Sequence, residues 1–223
     1  DTINLALDHF EMANILPWLS KVNSSLKGSV NGDVIIVSDS LNNKFYSEIT
    51  TSNLQLNDAN FGALNLSFNY DDTQDIQLIQ GHSLKDDKKA LEFSGNYNSL
   101  VDSNNMQIFI DVNDFNINHI NTYLPFLDPL KGMFTGYLNL YGNINEPKFE
   151  GKFVAKEVYL TVPYLNVDFK TIGESNVHLS HDLIELNNFS FQSIDKGNSF
   201  GAGALNGKFN HHYFSDINMN LNL

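Results

Sequence analysis

Gly197-Asn198-Ser199-Phe200-Gly201 has the G-x-S-x-G spacing of a nucleophile elbow. That device needs a strand before the serine and a helix after it, and then an acid and a histidine in that order. Here Gly203-Ala204-Leu205-Asn206-Gly207-Lys208-Phe209 reads as a strand, and the only later acid, Asp216, follows the last histidines, His211 and His212. The segment therefore reads as a glycine-rich turn, and Ser199 as an ordinary serine. His178 and His181 are three residues apart and His211-His212 adjacent. Neighbouring residues of a strand point to opposite faces, and a zinc site needs more convergent donors, so all four read as surface histidines. Asp71-Asp72 and Asp111-Val112-Asn113-Asp114 lack the EF-hand loop pattern and read as solvated turns. The remaining carboxylates are scattered, with no spacing that sets a general acid against a base. The expectation is a non-enzymatic protein with no cofactor and no metal.

Composition narrows the partners. The chain has 223 residues, enough for a sizeable core in one domain or two small ones. Acidic residues number 26 and basic residues 13, every one of the latter lysine, for a formal charge of -13. Nucleic acid is an improbable partner for such a surface, and anionic phosphate lacks its bidentate arginine clamp. Cysteine is absent, so no disulfide framework or thiolate site exists, which fits a cell envelope. No signal peptide or membrane-spanning run is visible, and both ends, Ile3–Leu7 and Ile217–Leu223, look like mid-strand sequence cut from a longer chain.

The elements that must position everything are strands. Val34-Ile35-Ile36-Val37 is an apolar strand; Leu54/Leu56, Leu64/Leu66/Phe68, Ile76/Leu78, Leu91/Phe93 and Met106/Ile108/Ile110 alternate with polar residues, as do the later pairs through Phe209. Two short helices are expected, at Met12–Val22 around Pro17 and at 120–131 around Pro125, capping the ends of a core. Many short strands between turns mean a predominantly antiparallel β fold. Each strand shows one face of Leu, Ile, Val and Phe and another of Asn, Ser, Gln and Thr. Such a face must be buried on something. A closed sandwich and an open groove give the same pattern.

One stretch organises the chain: Gly132 to Gly151, GMFTGYLNLYGNINEPKFEG. It reads as strand, Gly142-Asn143 turn, then a new strand from Phe149, with Pro147 unable to serve a central ladder. It occurs once before. Leu26, Lys27, Gly28, Gly32, Lys44, Phe45 and Leu56 return 104 residues later as Leu130, Lys131, Gly132, Gly136, Lys148, Phe149 and Leu160, and Leu16-Pro17-Trp18-Leu19 matches Leu124-Pro125-Phe126-Leu127. An internal repeat divides the chain into 1–119, a first unit with a preceding strand, and 120–223, a second.

The apolar Leu-Pro segment, the LxG…G start and the strand ending G-x-[IL]-x-x-P-x-[FL]-x-G resemble the carboxy-terminal region of the TamB (translocation and assembly module) family, among the AsmA-like, bridge-like lipid transport proteins. The match is best over Gly132–Phe169; in the first copy LNNKFYS, at 41–47, lacks the proline and the final glycine. The resemblance implies an antiparallel meander bent into an open half-pipe, a β-taco, with an apolar interior. It implies a periplasmic conduit for phospholipid acyl chains, part of a protein anchored in the inner membrane and partnered by an Omp85-type outer-membrane β-barrel. An extracellular adhesin-like β-sandwich is the competing expectation. In either case Leu138, Leu140, Phe153, Val158, Leu160, Val167, Phe169, Ile184, Leu186 and Phe191 should face one common apolar interior, the groove lining in a conduit. Exposed strand edges at Ile3–Leu7 and Ile217–Leu223 should favour self-association.

Overall fold

The computed structural model describes residues 1–11, 26–38, 42–56, 59–73, 75–85, 88–118, 129–143, 146–162, 167–195, 198–212 and 215–222. The two expected helices, at 12–22 and 120–131, lie almost wholly outside these; Leu130 and Lys131, the last residues of the second, belong to a strand. Among the described residues there are fifteen strands: β1 (Thr2–Glu11), β2 (Leu26–Lys27), β3 (Ser29–Ser38), β4 (Asn43–Leu56), β5 (Ala59–Asp71), β6 (Ile76–Lys85), β7 (Lys88–Asn98), β8 (Met106–Asn116), β9 (Leu130–Asn143), β10 (Glu146–Val162), β11 (Val167–Thr171), β12 (Glu174–Ser180), β13 (Leu183–Asp195), β14 (Asn198–His212) and β15 (Ser215–Asn222). They form one antiparallel sheet in nearly sequential order, with β1 and β15 at its two ends. The fold is the expected mainly-β meander, and its strand order does not close. Contacts divide it into two compact units, Asp1–Ile110 with Leu140–Pro147, and Asp111–Asn139 with Lys148–Leu223.

The matched residues Leu26–Leu56 lie in the first unit and Leu130, Lys131, Gly132, Gly136, Lys148, Phe149 and Leu160 in the second, and equivalent glycines meet equivalent atoms. A Cβ at Gly28 would lie 2.7 Å from the carbonyl oxygen of Asn53, and one at Gly132 would lie 3.1 Å from that of Glu157, 104 residues on. A Cβ at Gly32 would overlap the carbonyl oxygen of Glu48, and one at Gly136 that of Lys152, again 104 residues on. The rungs correspond too. In the first unit Ile49 pairs Leu66, Leu66 pairs Gly81 and Gly81 pairs Phe93. In the second, Phe153 pairs Val177, Val177 pairs Leu186 and Leu186 pairs Gly207.

The strand-level differences from the sequence reading have local causes. Phe149/Phe153 and Val158/Leu160/Val162 are one strand, β10, interrupted by Glu157 at φ 50°. That left-handed residue makes a bulge, and Gly132 at φ 136° gives it room on the neighbouring strand. Pro147 is the second residue of β10, where a missing N–H costs little. Asp72 and Thr73 do form a turn, whereas Asp111–Asp114 lie inside β8. Asn198–His212 is a strand and not a glycine-rich turn, and Ser199 pairs Ile194 within it.

A candidate apolar binding face

Cross-strand partners project from the same side of a sheet, so the register decides which side chains meet. Leu160 pairs Phe169, Phe153 pairs Val177, Val177 pairs Leu186, Leu179 pairs Ile184 and Thr171 pairs Phe191. A Cβ at Gly151 would lie 2.9 Å from the Phe153 ring and 3.1 Å from Leu138 Cδ1, which puts Leu138 on the same side. Val167 is two residues before Phe169 on β11 and shares its face. Nine of the ten expected lining residues thus share one face of the second unit. Leu140 falls in the other compact unit.

The nine are not equivalent. Val158 is 3% exposed and belongs to a cluster with Ile117, Leu130, Ala155, Val177 and Phe189. Phe134, Phe153, Leu160, Ile184 and Leu186 are half-buried against that cluster. Phe134 and Phe153 stack with ring centroids 5.7 Å apart; Phe169 and Phe191 meet edge to face at 5.2 Å. Leu138, Val167, Phe169 and Phe191 are half-buried as well. The face is therefore a small dry core with a broader half-exposed apolar margin. Sequence reasoning left out Phe134, Val177 and Phe189. Phe134 sits four residues from Leu138 and Phe189 two from Phe191, so their signal was present; Val177 shares β12 with no chosen residue, and its place follows from its pairing with Phe153 and Leu186.

Bringing Phe153 and Val158 to one side depends on the bulge. They are five residues apart and would face opposite ways on a regular strand. The bulge also displaces the Val158 N–H from the ladder, and it donates instead to Thr171 Oγ1 at 2.9 Å in a buried bond. Leu64 N donates to Thr51 Oγ1 at 3.2 Å in the first unit, a second hydroxyl accepting from the main chain. Thr171→Val should leave this donor unsatisfied and cost about 1–3 kcal/mol in urea unfolding. Ser175 is buried as deeply, yet its Oγ has no hydrogen-bond partner among the described residues. Ser175→Ala should cost nothing, and equal losses for the two variants would contradict the assignment of the Thr171 bond.

The opposite face is polar. Lys152, His178, Glu185 and Lys208 form one rung across β10, β12, β13 and β14. Lys208 lies 3.3 Å from Glu185, and His178 lies 3.8 Å from Glu185 and 3.6 Å from Glu150. On the next hairpin, hydrogen bonds from Tyr159 and Thr161 hold the Asp168 carboxyl below its ordinary pKa, the Thr161 bond at 2.8 Å. Its folded value being depressed, Asp168 contributes stability above the ordinary aspartate pKa and loses it as pH falls through the folded value. Thr161→Val should raise the Asp168 midpoint in an NMR titration, and an unmoved midpoint would rule the bond out as the cause.

Among the described residues no three metal-ligating side chains converge, and no helix is long and apolar enough to cross a membrane. Comparison of the chain with family models, with curated proteins and with solved structures finds no match.

Proposed function

We propose that the apolar face is a lipid-binding surface and that the chain is a segment of a conduit for phospholipid acyl chains, as its resemblance to the TamB family implies. The observation that carries this reading is the shared, half-exposed apolar face of an antiparallel sheet whose strand order does not close. Exposing an acyl chain of about sixteen carbons to water costs on the order of 12 kcal/mol, at about 0.8 per CH₂. A continuous apolar surface removes most of that cost without any reactive side chain. On this reading the protein works in the periplasm, anchored in the inner membrane, and delivers lipid toward an Omp85-type barrel.

The test is photo-crosslinking in the full-length protein in cells. A photoreactive amino acid at Phe191 or Leu160 should yield phospholipid adducts by mass spectrometry, whereas Lys152 or Lys170 on the polar face should not. Protein adducts alone at Phe191 and Leu160 would favour an adhesin-like binding module and defeat the conduit.

A further inference from the structure

The rung of Ile49, Leu66, Gly81 and Phe93 gives the first unit an apolar face of its own, and the character of that face changes along its strands. One rung nearer the β5–β6 turn, Phe68 pairs Ile79 and Ile79 pairs Gly95, and the rings of Phe45 and Phe68 meet edge to face at 5.4 Å. In the next rung Tyr70 pairs Gln77 and Gln77 pairs Tyr97, all three half-buried. Beyond it lies the turn, with Asp72 and Asp75. In the other direction Leu64 pairs Ser83 and Ser83 pairs Leu91, and there the face closes, with Ser83 only 2% exposed.

Asp75 has a φ of 50°, and its carboxylate accepts from Tyr70 Oη at 3.1 Å and from Ser99 Oγ. Asp72 Oδ2 accepts from Asn43 Nδ2 at 3.1 Å, whereas Asp72 Oδ1 is shut off from water and has no hydrogen-bond partner among the described residues. Neither carboxylate is ion-paired among those residues. Buried polar atoms are nearly always satisfied, so an unpartnered oxygen marks a place for a donor. Carboxylate, then phenol, then hydrocarbon is the order of a membrane leaflet from its surface inward, where tyrosine stands at headgroup level with one end wet. Gln77 and Ser83 are six residues apart on β6. That is about 20 Å of strand at about 3.4 Å per residue, against about 15 Å for the hydrocarbon of one leaflet, half of the roughly 30 Å core.

We infer that this face holds a phospholipid of the ethanolamine type, lying along the strands with its ammonium at Asp72 and Asp75 and its acyl ends toward Leu91. The inference rests on the lipid reading proposed above and adds to it a headgroup and an orientation. An ammonium donates charge-assisted hydrogen bonds to carboxylate oxygens. The trimethylammonium of a choline lipid has no N–H to donate, and the net negative headgroup of a glycerol lipid is repelled.

The test uses phospholipids that carry a diazirine on the acyl chain and differ only in headgroup. They are offered to the purified protein in vesicles of equal parts phosphatidylethanolamine, phosphatidylcholine and phosphatidylglycerol, and adducts are counted on β7 by mass spectrometry. Phosphatidylethanolamine should label β7 about tenfold more than either other lipid, the worth of one charge-assisted hydrogen bond. Asp72→Asn with Asp75→Asn should abolish that preference and leave the total labelling of β7 unchanged. Asparagine still accepts hydrogen bonds and tolerates the left-handed conformation at residue 75. Asp33→Asn, in the rung of Glu48 on the opposite face, should change nothing. The parent protein alone tests the orientation: a diazirine at the acyl terminus should label Leu91, and one beside the ester should label Tyr97. Equal labelling of β7 by the three lipids, a preference that survives the double variant, or the reverse order of labelling along β7 would overturn the inference while adducts at Phe191 keep the lipid reading. Absence of adducts at both β7 and Phe191 would defeat the two together.

Discussion

Gly136→Ala is expected to destabilise the second unit by at least about 3 kcal/mol, the upper end of the usual cost of overpacking, and Gly32→Ala to do the same to the first. The new Cβ of residue 136 would overlap the Lys152 carbonyl oxygen and lie 2.8 Å from Phe153 Cα. Both obstacles are main chain in a hydrogen-bonded strand, so relief requires moving β9 from β10. Gly32 adds a φ of 147°, which a side chain resists. Two other glycines calibrate the effect. Gly173 at φ 72° has nothing within 4 Å of a Cβ, and Gly173→Ala should cost about 1 kcal/mol for conformation alone. A Cβ at Gly203 would stand 3.5 Å from the Phe191 ring, an ordinary contact, and Gly203→Ala should stay within about 0.5 kcal/mol of the parent. Urea midpoints for the four variants decide the matter. A Gly136→Ala protein as stable as Gly203→Ala would mean that the strands are not so closely apposed.

Val158→Asp is expected to unfold the second unit, with a loss of more than about 3 kcal/mol, because its carboxylate would be sealed among Ile117, Leu130, Ala155, Val177 and Phe189. Phe191→Asp should behave differently. Phe191 is half-exposed and meets the Phe169 ring edge to face, so the substitution forfeits a ring contact of about 1 kcal/mol while its charge reaches water. The folded Phe191→Asp protein should lose lipid adducts at neighbouring positions. Leu160→Asp and Leu186→Asp fall between, since both lean on the dry cluster. A Phe191→Asp protein that unfolds as Val158→Asp does would mean the face is an ordinary packed core, and the conduit reading would fall with it.

Period-two alternation made the strands and their two faces legible, because burial on one side of a sheet acts on every second residue. Along Leu183–Asp195 and Glu146–Val162 it misled about continuity, as bulges restore the phase that plain alternation would lose. Nothing in the type of Glu157 announces a left-handed residue. Only Gly132, recurring 104 residues after Gly28, marked the place, and its meaning required the opposing strand. The buried hydroxyl of Thr171 was likewise invisible, because its task is to accept from a main-chain group freed by that bulge. Ser199, by contrast, was discounted on the strand-like sequence after it, and β14 does continue to His212.

Between the two copies of the repeat the offset changes. Leu54 corresponds to Val158, 104 residues on, whereas Leu66 corresponds to Val177, 111 residues on. Seven extra residues have entered at the hairpin of β10 and β11, an odd number, yet the apolar side chains beyond it still lie on the same side as those before it. A hairpin tip absorbs any count, because the returning strand takes its phase from its neighbour and not from the loop. The sheet can thus lengthen along individual strands by hairpin insertion, and across them by duplicating whole repeats, and neither kind of growth disturbs the other. A protein built this way can evolve its width and its height as separate traits.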